Sequence, residues 1–182
     1  MRSKFLFAAA ALLAATPAAG AVSVVGNSAA RSCYLAAESR GAPTMDVLRF
    51  CDDALNREAL TDGEQVATFV NRGILKARLG NLDAAVSDYD AALSRDPDEP
   101  EAYLNKGFAF LHLSEAGERA KPLFDTALAK KTRRPELAYY GRGVAHEMSG
   151  EVRAAYHDYR QASRIDPKWR QPKVELARFR VN

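Results

Sequence analysis

The feature that most constrains this chain is a stretch that occurs nearly twice over. Residues 66–99 (VATFVNRGILKARLGNLDAAVSDYDAALSRDPDE) and 136–169 (ELAYYGRGVAHEMSGEVRAAYHDYRQASRIDPKW) align without a gap over 34 residues. Asn71-Arg72-Gly73 stands against Gly141-Arg142-Gly143, Gly80 against Gly150 and Ala84-Ala85 against Ala154-Ala155. Asp88-Tyr89 likewise matches Asp158-Tyr159, and Asp96-Pro97 matches Asp166-Pro167. Residues 100–135 carry Tyr103, Asn105-Lys106-Gly107, Ala120, Phe124 and Ala127 in the same order. That middle copy is two residues longer, its inter-helix turn (Ser114 to Glu118) has no glycine in register, and Pro122 predicts a kink just past the first turn of its second helix. A period of this size marks a stacked repeat architecture.

The periodicity inside each copy is helical. Phe69 and Gly73, like Leu75 and Leu79, stand four residues apart, and Ala85, Tyr89, Ala92 and Leu93 recur at three- and four-residue steps. Each copy therefore reads as two antiparallel helices with a tight turn at Gly80 or Gly150 and an exit marked by proline. Gly73, Gly107 and Gly143 remove bulk where the two helices press closest, and Ala85, Ala120 and Ala155 are expected to meet them. A helix pair this short cannot bury its apolar face alone, so the copies must stack.

This pattern resembles that of the tetratricopeptide repeat family. Its aromatic, glycine, turn glycine, alanine, aromatic and proline are carried by Phe69, Gly73, Gly80, Ala85, Tyr89 and Pro97, and again by Tyr139, Gly143, Gly150, Ala155, Tyr159 and Pro167. The resemblance implies an all-α fold, an α-solenoid of stacked antiparallel helix pairs, with repeats at 66–99, 100–135 and 136–169. Residues 22–65 read as a degenerate N-terminal helical pair, in which Leu35 replaces the packing glycine. Residues 170–182 read as a C-terminal capping helix. Thr61-Asp62-Gly63-Glu64 has capping-box spacing and is expected to open the first full repeat.

The resemblance also implies a binding surface, since such arrays present their first helices along a concave groove. By position the groove would be lined by Val70, Asn71, Ile74 and Arg78, then Leu104, Asn105, Phe108 and His112, then Tyr140, Val144 and Glu147. Asn71 and Asn105 stand where relatives hydrogen-bond a peptide backbone, and an amide can both donate and accept. Gly141 interrupts that ladder in the third copy. Val70, Ile74, Leu104 and Phe108 fill the places where carboxylate-clamping relatives carry Lys, Asn and Arg, so an apolar or amphipathic segment is the expected ligand. The alternative is self-capping by Val174, Leu176 and Phe179 of the C-terminal helix.

Before the repeats comes an address. Met1-Arg2-Ser3-Lys4 is basic, Phe5 to Ala15 is unbroken apolar sequence too short to span a bilayer, and Ala19-Gly20-Ala21 offers the small residues a signal peptidase accepts. Residues 1–21 are thus expected to be a signal peptide cut near Ala21, leaving a periplasmic or secreted protein. Retention as an anchor is the second reading, because weakly apolar sequence continues to Val25.

The cut changes the charge argument. The full chain carries 26 Lys and Arg against 23 Asp and Glu, a net +3; without Arg2 and Lys4 it is nearly neutral. What is left is polarity: residues 22–118 hold 9 bases and 16 acids, and residues 119–182 hold 15 bases and 7 acids. The basic half is crowned by Lys130, Lys131, Arg133 and Arg134. That patch reads either as a solvated helix face or as a steering surface for a partner, such as an anionic envelope phospholipid or polyanion. No aromatic–basic interleaving points to nucleic acid.

Cys33 and Cys51 lie nine residues either side of Ala42 in the Gly41-Ala42-Pro43 turn, at equal height on facing helices. A disulfide there would contribute roughly 3 kcal/mol; two buried free thiols are the other reading.

Nothing in the sequence supports catalysis. His146-Glu147-Met148-Ser149-Gly150 begins like a zinc-protease motif but ends on Gly150, where the second His ligand should stand. His112 and His157 lack metal spacing, and no phosphate loop, dinucleotide fingerprint or nucleophile elbow occurs. No metal or cofactor is expected, and the partner is expected to be another protein or peptide. At 47% hydrophobic and 27% charged, the composition argues against a disordered or multi-span membrane chain.

Overall fold

A computed structural model describes residues 20–23, 28–112 and 116–179. Most of the expected leader, together with its apolar core, lies outside the described residues. So do residues 113–115 of the middle repeat's inter-helix turn. Among the described residues every regular element is helical: α1 (Ala29–Glu38), α2 (Leu48–Arg57), α3 (Asp62–Arg78), α4 (Leu82–Arg95), α5 (Pro100–Leu111), α6 (Ala116–Ala129), α7 (Pro135–Met148), α8 (Val152–Ile165) and α9 (Arg170–Leu176). A 3₁₀ turn at Met45–Val47 precedes α2. None of these helices is long and apolar enough to cross a membrane.

Local chemistry sets the ends. Ser28 accepts from the Arg31 N–H at the start of α1, and Thr61 and Glu64 form the reciprocal capping box that opens α3. Pro100 and Pro135 occupy the first turns of α5 and α7, where a missing N–H costs nothing. Gly80 (φ 82°) and Gly150 (φ 77°) close α3 and α7 in the left-handed conformation. In both, the next residue's N–H reaches back five residues, Asn81 to the Lys76 carbonyl at 2.9 Å and Glu151 to the His146 carbonyl at 2.8 Å. Lys131 (φ 62°) repeats this motif at the end of α6 without a glycine, its follower Thr132 bonding the Ala127 carbonyl at 2.9 Å.

Helices pair as α1/α2, α3/α4, α5/α6 and α7/α8, each pair stacking on the next, and α9 closes the far end against α8. The packing glycines meet aromatic rings more closely than the expected alanines. A Cβ on Gly73 would lie 2.5 Å from Tyr89 Cε1, one on Gly107 2.8 Å from Phe124 Cε1 and one on Gly143 2.8 Å from Tyr159 Cε1. Ala85, Ala120 and Ala155 are nonetheless fully buried in the same cores. Gly141 has its own reason: a Cβ there would stand 2.4 Å from Phe124 Cζ. The third copy gives up its asparagine because the ring of the second copy fills that space.

In the N-terminal pair, Cys33 and Cys51 are both fully buried, with Sγ atoms 2.12 Å apart and Cα atoms 4.8 Å apart. The Glu58 carboxylate reinforces the join, accepting from the Ala29 and Ala30 N–H groups at 2.7 and 3.2 Å, where the positive end of the α1 dipole lies.

Candidate functional site

The face built by α3 and α5 is already occupied. Residues 20–23 run across it, Gly20 and Ala21 buried, Val22 half-buried and Ser23 exposed. The Asn71 side chain holds Val22 at both backbone atoms: the Val22 N–H donates to Asn71 Oδ1 at 2.9 Å, and Asn71 Nδ2 donates to the Val22 carbonyl at 2.8 Å. This is the in-plane pairing one amide offers another, and it reads backbone irrespective of side chain. Ala21 itself joins the apolar cluster of Cys33, Ala37, Val66, Val70 and Ile74.

A buried carboxylate stands beside this pair. Glu101, on the first turn of α5, has no solvent exposure. It accepts from Thr132 Oγ1 at 3.0 and 3.1 Å, from the Arg133 N–H at 2.7 Å and from Arg133 Nε at 3.5 Å. Arg133 Nη2 also reaches the Ala21 carbonyl at 3.4 Å. Gly20 lies directly on the carboxylate: a Cβ there would fall 2.1 Å from Glu101 Oε2, and φ is +56°. The left-handed Lys131 turns the chain so that Thr132 and Arg133 face α5. Glu99, behind the site, is raised above the usual carboxylate range by burial, with the neighbouring Glu101 charge adding to the effect.

The expected groove residues divide by depth. Val70, Asn71, Ile74, Leu104, Asn105 and Tyr140 are buried. Asn105 turns inward and donates to the Glu101 carbonyl at 2.8 Å, a bond within its own helix that leaves the backbone-reading role to Asn71. Arg78 holds the α1–α2 turn through the Ala37 carbonyl at 3.2 Å and the Gly41 carbonyl. Phe108 is half-buried, its ring edge-on to Phe124 at 5.2 Å. Half-buried Val144 packs beside it. His112 ends α5 and titrates below its ordinary range because of burial.

The far end of the face belongs to the C-terminal helix. Trp169 packs on Tyr140 with ring centroids 4.9 Å apart, and Phe179 on Tyr159 at 5.9 Å. Glu147 accepts from Tyr159 Oη at 2.9 Å and pairs with Arg178. Leu176 and Phe179 thus pack inward as the self-capping reading expects, whereas Val174 is half exposed.

The basic cluster is engaged within the chain. Lys130 pairs with Asp98, Arg133 with Glu101 and Arg134 with Glu136, while Lys131 is exposed. Among the described residues no group of three or more His, Cys, Asp or Glu is placed to hold a metal ion.

Sequence reasoning missed Glu101, Thr132 and the 20–23 segment. The only signal for Glu101 was a glutamate at a helix-start position that also faces the groove. Residues 20–23 read as the cleavage region and the start of the N-terminal pair, and their docking on Asn71 and Glu101 is a long-range fact.

With its stacked helix pairs and turn glycines, this chain has the fold of tetratricopeptide repeat domains. Residues 75–114 match the TPR repeat family. Two solved structures share the fold. The first TPR domain of the human RPAP3 protein is 23% identical with a TM-score of 0.58, over 62% of this chain and 87% of that one. The MamA RS-1 ArsTM double mutant is 23% identical with a TM-score of 0.61, over 72% of this chain and 70% of that one.

Proposed function

We propose that this protein is an exported interaction module, without chemistry of its own, that grips an extended polypeptide segment in the concave face of its repeats. The observation that carries this is the two-point hydrogen bonding of the Asn71 amide to a Val22 backbone unit. A buried amide whose two hydrogen bonds both go to an extended segment is suited to holding other extended segments. Export draws its support from the leader pattern and from a cysteine pair at bonding distance, which suits an oxidising compartment.

An anionic envelope surface docking on Lys130, Lys131, Arg133 and Arg134 draws less support, because three of the four are paired with the chain's own carboxylates. The test is a photo-crosslinking residue at the half-buried Phe108, with the protein expressed in its native compartment. A defined polypeptide should be captured, and capture should fail in an Asn71→Leu variant that melts normally. Capture unchanged by Asn71→Leu would sink the groove reading. Disrupting the groove at Leu104 would be a poor test, since that side chain is fully buried and its loss would unfold the repeat.

A further inference from the structure

We infer that Asn71, Glu101, Thr132 and Arg133 form a subsite for an extended segment of glycine–small–aliphatic form, and that Gly20–Val22 fills this subsite in cis. The inference rests on the groove reading above and adds to it what the occupant must look like and what governs access. Three features set the form. The first position tolerates no side chain, since a Cβ on Gly20 would lie 2.1 Å from Glu101 Oε2 and the backbone is at φ +56°. The second must be small, because Ala21 is only 6% exposed within a closed apolar cluster while its carbonyl takes Arg133 Nη2 at 3.4 Å. The third presents its N–H and carbonyl to Asn71 and lays a branched side chain against the cluster of Ala30, Ala54 and Ala67.

The subsite is built from several parts of the chain. Glu101 comes from α5, Thr132 and Arg133 from the turn between α6 and α7, and Asn71 from α3. Lys131 adopts a left-handed conformation disfavoured for a side-chain-bearing residue, and the two residues that follow it supply the bonds that orient the Glu101 carboxylate.

The peptide bond expected to be cut in export, Ala21–Val22, lies inside this segment. Its hydrolysis by a signal peptidase adds water, leaves a carboxylate on Ala21 and an ammonium on Val22, and carries Gly20 and Ala21 away. The Glu101–Arg133 end of the subsite is then vacant for a partner's glycine and small residue. An uncut chain keeps the subsite filled, so export and binding competence are coupled.

The test uses the uncut full-length chain and a fluorescein-labelled hexapeptide of residues 18–23, Ala-Ala-Gly-Ala-Val-Ser, with a control peptide carrying Val for Gly. A segment tethered in cis competes at an effective concentration of order millimolar. Ejecting it by Gly20→Val should therefore tighten glycine-peptide binding at least about tenfold over wild type. Ala21→Arg, which cannot be buried there, should do the same by a second route. The control peptide should bind neither variant. Equal affinity for wild type and both variants, or no saturable binding to either variant, overturns the inference. Equal binding of the two peptides, still lost on adding Asn71→Leu, overturns the glycine requirement and leaves the groove reading standing. Binding indifferent to Asn71→Leu overturns that reading too.

Discussion

Arg142 closes on the Asp158 carboxylate with two parallel bonds, Nε–H to Oδ2 at 2.8 Å and Nη2–H to Oδ1 at 2.7 Å. Its remaining Nη1 reaches Asp125 on α6, the second helix of the preceding repeat, at 2.6 Å. Arg72 does the same with Asp88 at 2.9 and 2.7 Å and with Asp52 on α2 at 2.7 Å. One guanidinium thus ties the two helices of a repeat and locks the repeat to its predecessor, a geometry that a lysine cannot reproduce. In the middle repeat Lys106 makes the backward link, to Asp90.

The two forks should differ in cost. Among the described residues, removing Arg142 leaves the buried Asp158 with only His146 Nε2 at 3.6 Å as a cationic partner. Removing Arg72 leaves Asp88 with Lys76 Nζ at 2.7 Å. Arg142→Leu should therefore lose roughly 3 kcal/mol, the low end for a broken buried pair. Arg72→Leu should lose about half as much. Urea unfolding of both variants checks the order, and equal losses would argue against the backup role of Lys76.

Phe124 fills two glycine notches at once, Gly107 on its own partner helix and Gly141 on the next repeat. Gly141→Ala puts a methyl 2.4 Å from Phe124 Cζ, so it should destabilise by about 1–3 kcal/mol as an overpacked core does. Without the ring the clash is gone. Gly141→Ala should then cost nearly nothing in a Phe124→Leu background, and a double-mutant cycle in thermal unfolding reads this coupling.

Cys33 and Cys51, at disulfide distance, and the Glu58 cap on α1 join the N-terminal pair. Reduction should lower stability by roughly 3 kcal/mol. It should also loosen α1 and α2 first, read as faster amide exchange there than in α7. Two alkylatable thiols in protein unfolded without reductant would contradict the bridge.

His112 contributes a pH dependence with a defined sign. Burial depresses its folded pKa below the ordinary value, so the unfolded chain takes up the proton first. Its stabilising contribution is present above about pH 6.5 and falls away as pH drops from there towards the folded pKa. Thermal melts of His112→Gln should fall less steeply than wild type between pH 7 and pH 5.5. A parallel fall would show that His112 contributes nothing to that slope.

Much of the fold was legible because helical repeats are local. Gly80 and Gly150 announce their turns, Thr61 and Glu64 their capping box, and Tyr89 and Tyr159 recur at fixed offsets from the packing glycines. The Arg72–Asp88 and Arg142–Asp158 pairs were visible as aligned letters, though not as forks, because side-chain reach does not show in an alignment. The site was less legible. Asn71 stood out through its position, but Asn105 has the same position and turns inward, since the Glu101 carbonyl one turn back offers it a partner. Arg133 in the basic run 130–134 read as surface charge because its buried counterion, Glu101, lies about thirty residues away. The docking of 20–23 depends on chain closure across 49 residues to Asn71, and no local pattern encodes it.

The proposed reading of an extended backbone by Asn71 is put to hydrogen exchange at the Val22 amide in the uncut chain, with and without Asn71→Leu. The Val22 amide should exchange at least about tenfold more slowly than an open amide. In Asn71→Leu it should return to the open rate, while core amides such as Leu75 keep their protection. A Val22 amide that exchanges freely in wild type, or that stays protected without Asn71, would contradict it.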